Sequence, residues 1–373
     1  MINASIIPTH PANTDASQRS LNLSLDIGSA MYKDINCIQI LPLNHPSKVD
    51  RALKALSVDG DSIPELITEA IPTYSTFLTK FADLDSPFKL LDWLLATDDP
   101  AASSSADLMK EMPSHLFVLE TLELFSKTKL LSASISDLSF LQDVLLSMPL
   151  LHSRTYSVAS SLLTPSECHN KLDLMLKRIP NGRFSSVFLN DHSANSSSSE
   201  PARLQYRIVD SVSGPRLRDL NTKNDKPLVV VATGAGFGPI NCLLQARITA
   251  AHRRTESEGP IDQTTSLFLV FHHTDVPLAQ PILDEASSLG LIDEVHIVES
   301  NAEKKRVQDL LVREDVAEML KESLLQGEGG WASVCENEQA AMGVRAAFEQ
   351  VLGSEGVDET FHGERYLKEV FSS

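Results

Sequence analysis

The middle of the chain reads Arg154-Thr155-Tyr156-Ser157-Val158-Ala159-Ser160-Ser161 and follows closely on the apolar run 145–151. A strand with this order presents a cation, an aromatic ring and a hydroxyl group together. Arginine supplies a forked donor for a pyrophosphate, tyrosine a face for stacking, and serine a hydrogen bond, and these three groups suit a flavin dinucleotide. Taken alone, an ordinary strand and turn explains so short a pattern better, so the interpretation depends on the other segments.

The composition is typical of a soluble globular protein with two or three packed units, since 373 residues exceed one ordinary domain. No apolar run reaches the ~18 residues that a membrane-spanning helix needs. The net charge of -18 argues against nucleic acid and anionic membranes as partners, and it leaves docking to a basic protein open. The cysteines are widely scattered and lack metal-binding spacing, so we expect reduced thiols in the cytoplasm and no metal site.

Two kinds of periodicity divide the first part of the chain. Residues 21–27 and 36–42 alternate apolar and polar side chains, as do 172–176 and 204–209, and this pattern predicts half-buried strands. Between the second and third of these segments the apolar spacing becomes helical. We therefore expect a β unit that is interrupted by a helical insert, after a flexible lead-in at 1–18 that lacks a signal-peptide pattern.

A short polar segment after the third strand reads Asn181-Gly182-Arg183-Phe184-Ser185-Ser186, and it predicts a turn that enters a short helix. Backbone N–H groups at such a turn are able to hold a phosphate. A plain turn with a serine cap explains the same residues equally well. Both interpretations stay open at this point.

The second half of the chain opens with the apolar run 227–232, which is typical of a buried parallel strand. Next come Gly234-Ala235-Gly236-Phe237-Gly238-Pro239 and a helical segment. Glycines let a backbone approach a pyrophosphate and the helix N-terminus adds partial positive charge, so this order favours a dinucleotide site over a structural glycine turn. Further strands at 266–271, 294–298 and 331–335 alternate with helices, which predicts a doubly wound α/β domain.

In this order the segments resemble the flavin- and nicotinamide-binding module of the diflavin reductases, the family of NADPH-cytochrome reductase and sulfite reductase flavoprotein. Arg154-x-Tyr156-Ser157 resembles the family's FAD motif, Gly182-x-x-Ser185 its FAD-pyrophosphate loop, and 234–239 its nicotinamide loop. Val334-Cys335 and 365–372 resemble its last two motifs. The resemblance covers the chain from about Arg19 onward.

The resemblance implies an antiparallel FAD-binding β-barrel at 19–46 and 152–220, a helical connecting insert at 47–151, and a doubly wound parallel NADP(H)-binding domain at 226–373. It implies FAD and NADP(H) as cofactors. No flavodoxin-like FMN domain precedes Arg19 in this sequence. We therefore expect electrons to pass to an external acceptor, either a protein or a small molecule.

The family's hydride-transfer residues correspond to Ser157, Cys335 and Glu369, which the resemblance therefore implies as catalytic. A small hydroxyl and a polarizable thiol line the contact between two stacked rings, and a carboxylate orients them. Without the surrounding motif, a buried structural thiol would be the better interpretation of Cys335. The residues that the resemblance implies as cofactor-binding are Arg154, Tyr156, Ser157, Gly182, Ser185, Phe371, Arg19, Gly234, Ala235, Gly236, Ser300, Lys304 and Gln308.

Several residues depart from the family's pattern. Glu336 stands where the family has glycine, and a bulky anion there would repel or crowd the nicotinamide cofactor. Asp34-Ile35-Asn36 replaces a Pro-Gly-Asp turn, and Glu369-Val370-Phe371 replaces Asp-Val-Trp. Ser300 matches the family's contact with the adenosine 2′-phosphate, whereas an asparagine replaces the arginine expected next. Lys304 is among the residues that would take the place of this arginine at the 2′-phosphate. The sequence therefore still favours NADPH over NADH.

Three functions from different classes follow. The first is an FAD-dependent NAD(P)H oxidoreductase that passes electrons to a separate acceptor, and we favour it. The second is a biosynthetic flavoenzyme that uses no external nicotinamide, which the departures keep open. The third is a degenerate reductase that serves as a binding partner. The retained FAD motif disfavours the third function, because a scaffold needs no stacking tyrosine beside an arginine and a serine.

Overall fold

The computed structural model of the protein describes residues 2–7, 19–62, 73–88, 116–127, 138–164, 170–179, 182–189, 203–223, 226–254, 265–272, 274–299, 306–326, 329–358, 360 and 365–371. The chain divides into two compact units. The first unit comprises Met1–Ile40, Thr155–Pro180 and Glu200–Ser373, and the second comprises Leu41–Arg154 and Asn181–Ser199. Both units are therefore discontinuous in sequence.

A six-stranded sheet is built from the early strands of the chain. Its members are β1 (Ile2–Ile7), β2 (Ser20–Asp26), β3 (Asn36–Leu41), β4 (Arg154–Ser157), β5 (Lys171–Lys177) and β6 (Arg203–Asp210). They follow the order β4-β3-β6-β1-β2-β5, and β1 pairs antiparallel with β2 and β6, as β2 does with β5. The four alternating segments of this region are thus confirmed as strands β2, β3, β5 and β6.

The two edge strands of this sheet approach each other just beyond the end of β4. The backbone N–H of Ala159 donates to the carbonyl oxygen of Asp173 at 2.7 Å, and an isolated bridge joins Val158 to Leu174. A closed barrel, which the resemblance implies, is not shown. The reason is that β4 ends at Ser157 and only the isolated bridge follows, so the structure describes a small antiparallel sheet.

The first strand corrects part of the lead-in expected at 1–18. Ile2–Ile7 form β1, in which Ile2 is paired with Tyr206 of β6 and Ile6 with Leu25 of β2. A local pattern does not reveal this strand, because its position depends on partners that lie elsewhere along the chain. Residues 8–18 lie outside the described part of the chain.

Helices make up most of the second unit. They are α1 (Pro46–Leu56), α2 (Tyr74–Lys80), α3 (Val118–Lys127) and α4 (Leu138–Ser147), and a π-helical turn spans Arg183–Phe188. The side chain of His45 caps α1 by accepting the N–H of Ser47, and Thr73 caps α2 in the same way. The apolar faces form one buried cluster, which includes Val49, Leu78, Leu122 and Val144.

A five-stranded parallel sheet forms the C-terminal part of the first unit. In sheet order its strands are β11 (Tyr366–Phe371), β10 (Trp331–Asn337), β7 (Leu228–Thr233), β8 (Thr265–Phe271) and β9 (Glu294–Glu299). Every pairing between neighbours is parallel, which confirms the predicted parallel sheet. The helices of this part are α5 (Gly214–Lys223), α6 (Phe237–Arg253), α7 (Val276–Ser288), α8 (Val307–Leu311), α9 (Glu314–Leu325) and α10 (Glu338–Val357). Among all helices that the structure describes, none is long and apolar enough to cross a bilayer.

Helices cover both faces of the parallel sheet. On one face Ala232 and Cys335 share a buried cluster with Leu243 of α6, and α7 contributes to the same cluster. On the other face Val231 and Val334 share a cluster with side chains of α8, α9 and α10. Because both faces are buried, β7 is apolar from Leu228 to Ala232 and shows no alternation.

One buried carboxylate ties the two sheets of the first unit together. Asp275, at the N-terminal end of α7, is 1% exposed, and its Oδ1 accepts the backbone N–H groups of Arg19 and Ser20 at 3.1 Å each. Although Asp275 stands at the cap position of α7, its side chain does not cap that helix. The carboxylate therefore serves the start of β2 instead.

The Asp275 contact gives a first prediction about stability. Asp275→Ala leaves the part-buried backbone N–H of Arg19 and the buried backbone N–H of Ser20 without their acceptor, and we expect it to lower the free energy of unfolding by ~1.5–3 kcal/mol. Urea unfolding followed by intrinsic fluorescence measures this loss. Asp284→Ala is the matched control, since Asp284 lies in the same helix, is exposed, and accepts a hydrogen bond from the side chain of Gln280 one turn away. Equal effects of the two substitutions would contradict the role of Asp275.

Candidate functional site

The strand order singles out the loop that follows β7. β7 has β10 on one side and β8 on the other, so the chain leaves β7 toward one edge of the sheet and later returns to fill the other. Ligands of open parallel sheets bind at the carboxyl ends of the strands where the order reverses in this way. The predicted dinucleotide loop at 234–239 lies at this place.

The loop after β7 is a 3-10 turn, Gly234–Gly236, that runs directly into α6. Gly234 has a φ of +49°, a conformation that L side chains rarely adopt. A Cβ atom at Gly238 would lie 3.7 Å from the carbonyl oxygen of Ser157, so the first turn of α6 runs along the end of β4. No side chain caps α6, and its first N–H groups therefore have no competing side-chain acceptor.

β4 carries the Arg-x-Tyr-Ser motif at one edge of the six-stranded sheet. Ser157 is buried, whereas Arg154 and Tyr156 are half-buried. The hydroxyl oxygen of Ser157 lies 3.8 Å from the Sγ atom of Cys37 in the neighbouring β3. Nη1 of Arg154 donates to the carbonyl oxygen of His152. This bond occupies only part of the donor fork, because a guanidinium has five N–H donors.

The end of β10 brings a thiol and a carboxylate together. Cys335 and Glu369 are directly paired in the parallel register of β10 and β11. Cys335 is fully buried and Glu369 is 8% exposed. The backbone N–H and the hydroxyl of Ser213 both donate to Oε1 of Glu369. The carboxylate is thus held in a largely dry environment beside the thiol.

Electrostatic coupling connects this pair to Ser157. The pKa of Cys37 is raised to about 11, mainly by burial and also by the nearby Glu369 carboxylate, whereas the bond to Ser157 acts in the opposite direction. Burial likewise raises the pKa of Cys335, and Glu369 again adds to the effect. Glu369 therefore lies close enough to act on both thiols, and Cys37 contacts Ser157. The structure brings the three predicted catalytic residues into one cluster.

Two members of this cluster, Cys37 and Ser213, were missed by the sequence reasoning. Neither belongs to a motif, and each reaches the cluster through pairing or a turn whose partners lie far away in the chain. The alternation of 36–42 does place Cys37 and Gln39 on one face of β3, but it does not say what that face contacts. For Ser213 no local signal exists.

The other predicted site residues have varied positions. Arg19 is exposed and its N–H is bound by Asp275. Gln308 lies in α8. Its amide nitrogen is so close to Gly343 of α10 that a Cβ atom added at this glycine would lie 2.8 Å from it, so Gln308 packs against α10. Phe371 ends β11 opposite Asn337. Ser300 and Lys304 lie outside the described residues, whereas Gly182 and Ser185 belong to the second unit, where Ser185 is buried.

Glu336 corrects the expectation that an anion crowds the nicotinamide position. Side chains alternate along β10, so Glu336 shares the face of Val334, whereas Cys335 points to the opposite face. Glu336 is 1% exposed, and neither of its carboxyl oxygens has a hydrogen-bond partner among the described residues. Burial raises its pKa to about 8. The residue is therefore a buried, mainly neutral acid on the far side of the sheet from the thiol and Glu369.

Comparison with known proteins gives one distant relative. A protein named "Bifunctional cytochrome P450/NADPH--P450 reductase" from Bacillus cereus is 25% identical to this chain over 261 residues. The match covers 63% of this chain and 23% of the relative, so the chain spans less than a quarter of that protein's length. No family model matches the chain. The similarity indicates a distant relationship to that protein over part of its length.

The buried acid at Glu336 gives a second prediction. Its pKa is about 8 in the folded protein and near the ordinary 4.5 when unfolded. The folded state therefore holds a proton that the unfolded state releases between these two values, and stability falls as pH rises through this window. We expect Glu336→Gln to remove this slope of up to ~1.4 kcal/mol per pH unit, as measured by urea unfolding from pH 5 to pH 9.

The control for this prediction is Glu318→Gln, which replaces an exposed carboxyl group of α9. It should leave the pH dependence of the wild type unchanged. A wild-type slope that persists in Glu336→Gln would show that another group takes up the proton.

Proposed function

We propose that the protein is an FAD-dependent oxidoreductase that takes electrons from NADPH and passes them to a separate protein or small-molecule acceptor. The observation that carries the proposal is the cluster of Ser157, Cys335 and Glu369. These residues come from β4, β10 and β11, and no local sequence feature requires them to meet. Ser157 contacts Cys37, and the Glu369 carboxylate acts on both Cys37 and Cys335, which supports a common site for these residues. Hydride transfer between stacked rings requires groups that hold the two rings in one orientation.

The residues of the first unit fit a dinucleotide. A side chain at Gly234 would be strained by its φ of +49°, and its Cβ would meet only Ser20 Oγ at 4.0 Å, so the backbone there is open to a close ligand. Tyr156 is half-buried, and an aromatic ring at this position suits stacking on a flat cofactor. The uncapped start of α6 offers N–H donors to a pyrophosphate. Gly234, Ala235 and Gly236 would hold the nicotinamide dinucleotide.

The remaining cofactor contacts are proposed from the resemblance. Arg154, Gly182 and Ser185 of the second unit would bind the FAD pyrophosphate, and Arg19, Ser300, Lys304 and Gln308 would bind NADP(H). Phe371 would cover the flavin ring. In this scheme 19–46 and 152–220 form the FAD domain, 47–151 the connecting insert and 226–373 the nicotinamide domain.

When bound, the flavin would accept two electrons and a proton from the reduced nicotinamide. The chain's own groups would orient the two rings and keep water out. Burial keeps the thiols of Cys37 and Cys335 protonated at neutral pH, so neither is a nucleophilic thiolate. Ser157 would donate a hydrogen bond at the ring edge, and Glu369 would orient the cluster. Because Glu336 lies on the other face, it does not obstruct this arrangement.

A third prediction tests the electron donor. The purified protein should be yellow with bound FAD, and anaerobic NADPH should bleach it in rapid-mixing absorbance. Cys335→Ala should slow bleaching by about tenfold, equivalent to ~1.4 kcal/mol of activation free energy, with FAD content unchanged. The matched control is Ser266→Ala, which likewise removes one heavy atom from a buried strand residue of the same parallel sheet.

The outcomes separate the three functions. If FAD binds but neither NADPH nor NADH bleaches it, the nicotinamide-dependent proposal fails and the biosynthetic flavoenzyme takes its place. A protein that stays colourless in the presence of FAD would instead favour the binding partner. Equal slowing by Cys335→Ala and Ser266→Ala would remove the special role of Cys335.

A fourth prediction tests the FAD motif. Arg154→Ala removes charge-assisted hydrogen bonds to a phosphate that are worth ~1.5–3 kcal/mol, so FAD should bind about 10- to 150-fold more weakly while the fold is retained. Flavin fluorescence titration of the flavin-free protein measures the affinity, and circular dichroism reports the fold. Arg51→Ala serves as the control, because Arg51 is an exposed arginine of the same unit that pairs with Glu123. Unchanged affinity in Arg154→Ala would refute the assignment.

A further inference from the structure

The carboxylate of Glu369 is bound twice by one residue. The backbone N–H of Ser213 donates to Oε1 at 3.1 Å, and the hydroxyl of Ser213 donates to the same oxygen at 2.5 Å. Ser213 is 3% exposed and Glu369 is 8% exposed. Hydrogen bonds to a carboxylate are strong when water is largely excluded, so these two bonds fix the oxygen in place.

The chain around Ser213 is built to bring it this close. A Cβ atom at Gly214 would lie 2.8 Å from the carbonyl oxygen of Ile35 and 2.5 Å from Ser211 Oγ, so only glycine fits there without movement. Nη1 of Arg218 donates to the carbonyl oxygen of Asp34 at 2.9 Å. The beginning of α5 is therefore packed directly on the turn at 34–36.

The same turn fixes Cys37. The side-chain amide of Asn36 donates to the carbonyl oxygen of Val209 at 3.3 Å and to Oδ1 of Asp210 at 2.9 Å, and Cys37 follows directly in β3. Ile35 has a φ of 60°, which is rare for a β-branched residue and persists only where the surroundings impose it. One rigid assembly thus places Ser213 on Glu369 and Cys37 beside Ser157.

The geometry points to Ser213 as a positioning residue that holds the carboxylate of Glu369 toward the thiols of Cys37 and Cys335 during the reaction proposed above, on which this inference rests. A glutamate side chain has several rotatable bonds and loses its orientation unless another group holds it. The two bonds from Ser213 supply that restraint. Its hydroxyl makes the shorter of them and is the part that a substitution can remove.

The kinetic test compares Ser213→Ala, Ser213→Thr and Ser211→Ala in rapid-mixing bleaching of the FAD-loaded protein by NADPH. Ser213→Ala should lower the limiting bleaching rate about tenfold, with FAD content and the NADPH concentration at half-maximal rate unchanged. Ser213→Thr keeps the hydroxyl and should stay within about threefold of wild type. The control Ser211→Ala should leave the rate unchanged, because Ser211 Oγ is buried and has no hydrogen-bond partner among the described residues.

A second readout uses the flavin-free protein. Urea unfolding of wild type, Ser213→Ala, Glu369→Gln and the double variant forms a double-mutant cycle. If the hydroxyl binds the carboxylate, the two substitutions should be non-additive, with a coupling that corresponds to at least about fivefold in the unfolding equilibrium constant. The pair Ser211→Ala and Glu369→Gln should be additive.

The outcomes distinguish this inference from the proposed function. If wild type is not bleached by NADPH or NADH, the proposed function fails and the role of Ser213 fails with it. If wild type is bleached and Ser213→Ala is bleached equally fast, only the role of Ser213 is overturned. Additive unfolding energies for Ser213 and Glu369 overturn it as well, whereas a slowed limiting rate with coupled unfolding energies supports it.

Discussion

The side chains of α6 bind the backbone of three successive residues that follow β4. Asn241 Nδ2 donates to the carbonyl oxygen of Ala159 at 2.8 Å, and Cys242 Sγ donates to that of Ser160 at 3.1 Å. Oε1 of Gln245 accepts the N–H of Ser161 at 3.0 Å. Backbone groups beyond the end of a strand need such partners when they are buried. Because α6 starts at the glycine loop, these bonds set the distance between that loop and Ser157, and the rest of the candidate site depends on it.

The pairing of β10 with β11 separates two acids that are close in the fold. Glu369 and Glu336 lie in neighbouring strands but on opposite faces of the sheet, because the side-chain direction reverses at every residue. Glu369 receives both hydrogen bonds of Ser213, whereas Glu336 has no hydrogen-bond partner among the described residues. The difference in partners, and not the difference in burial, gives the two acids different roles.

Much of the fold is readable from the sequence, because buried strands and helices have their own periodicities. The run 227–232 and the glycines after it predict the strand, loop and helix that the structure contains. The alternation along β10 would also have shown that Glu336 faces away from Cys335. The positions of Ser213 and β1 could not be predicted from the sequence, because they follow from contacts with residues far away in the chain. No window of neighbouring residues contains that information.

The discontinuity of the first unit has a consequence for synthesis on the ribosome. Leu41–Arg154 is the larger part of the second unit and contains the helices α1 to α4, which share one buried cluster. This segment is therefore able to fold as soon as it has been synthesised. The strands of Met1–Ile40 do not share this advantage. The start of β2 is bound by Asp275, which lies 255 residues beyond Ser20 in the chain. The backbone N–H groups at the start of β2 therefore stay without their final acceptor, and open to chaperones, until α7 has been translated.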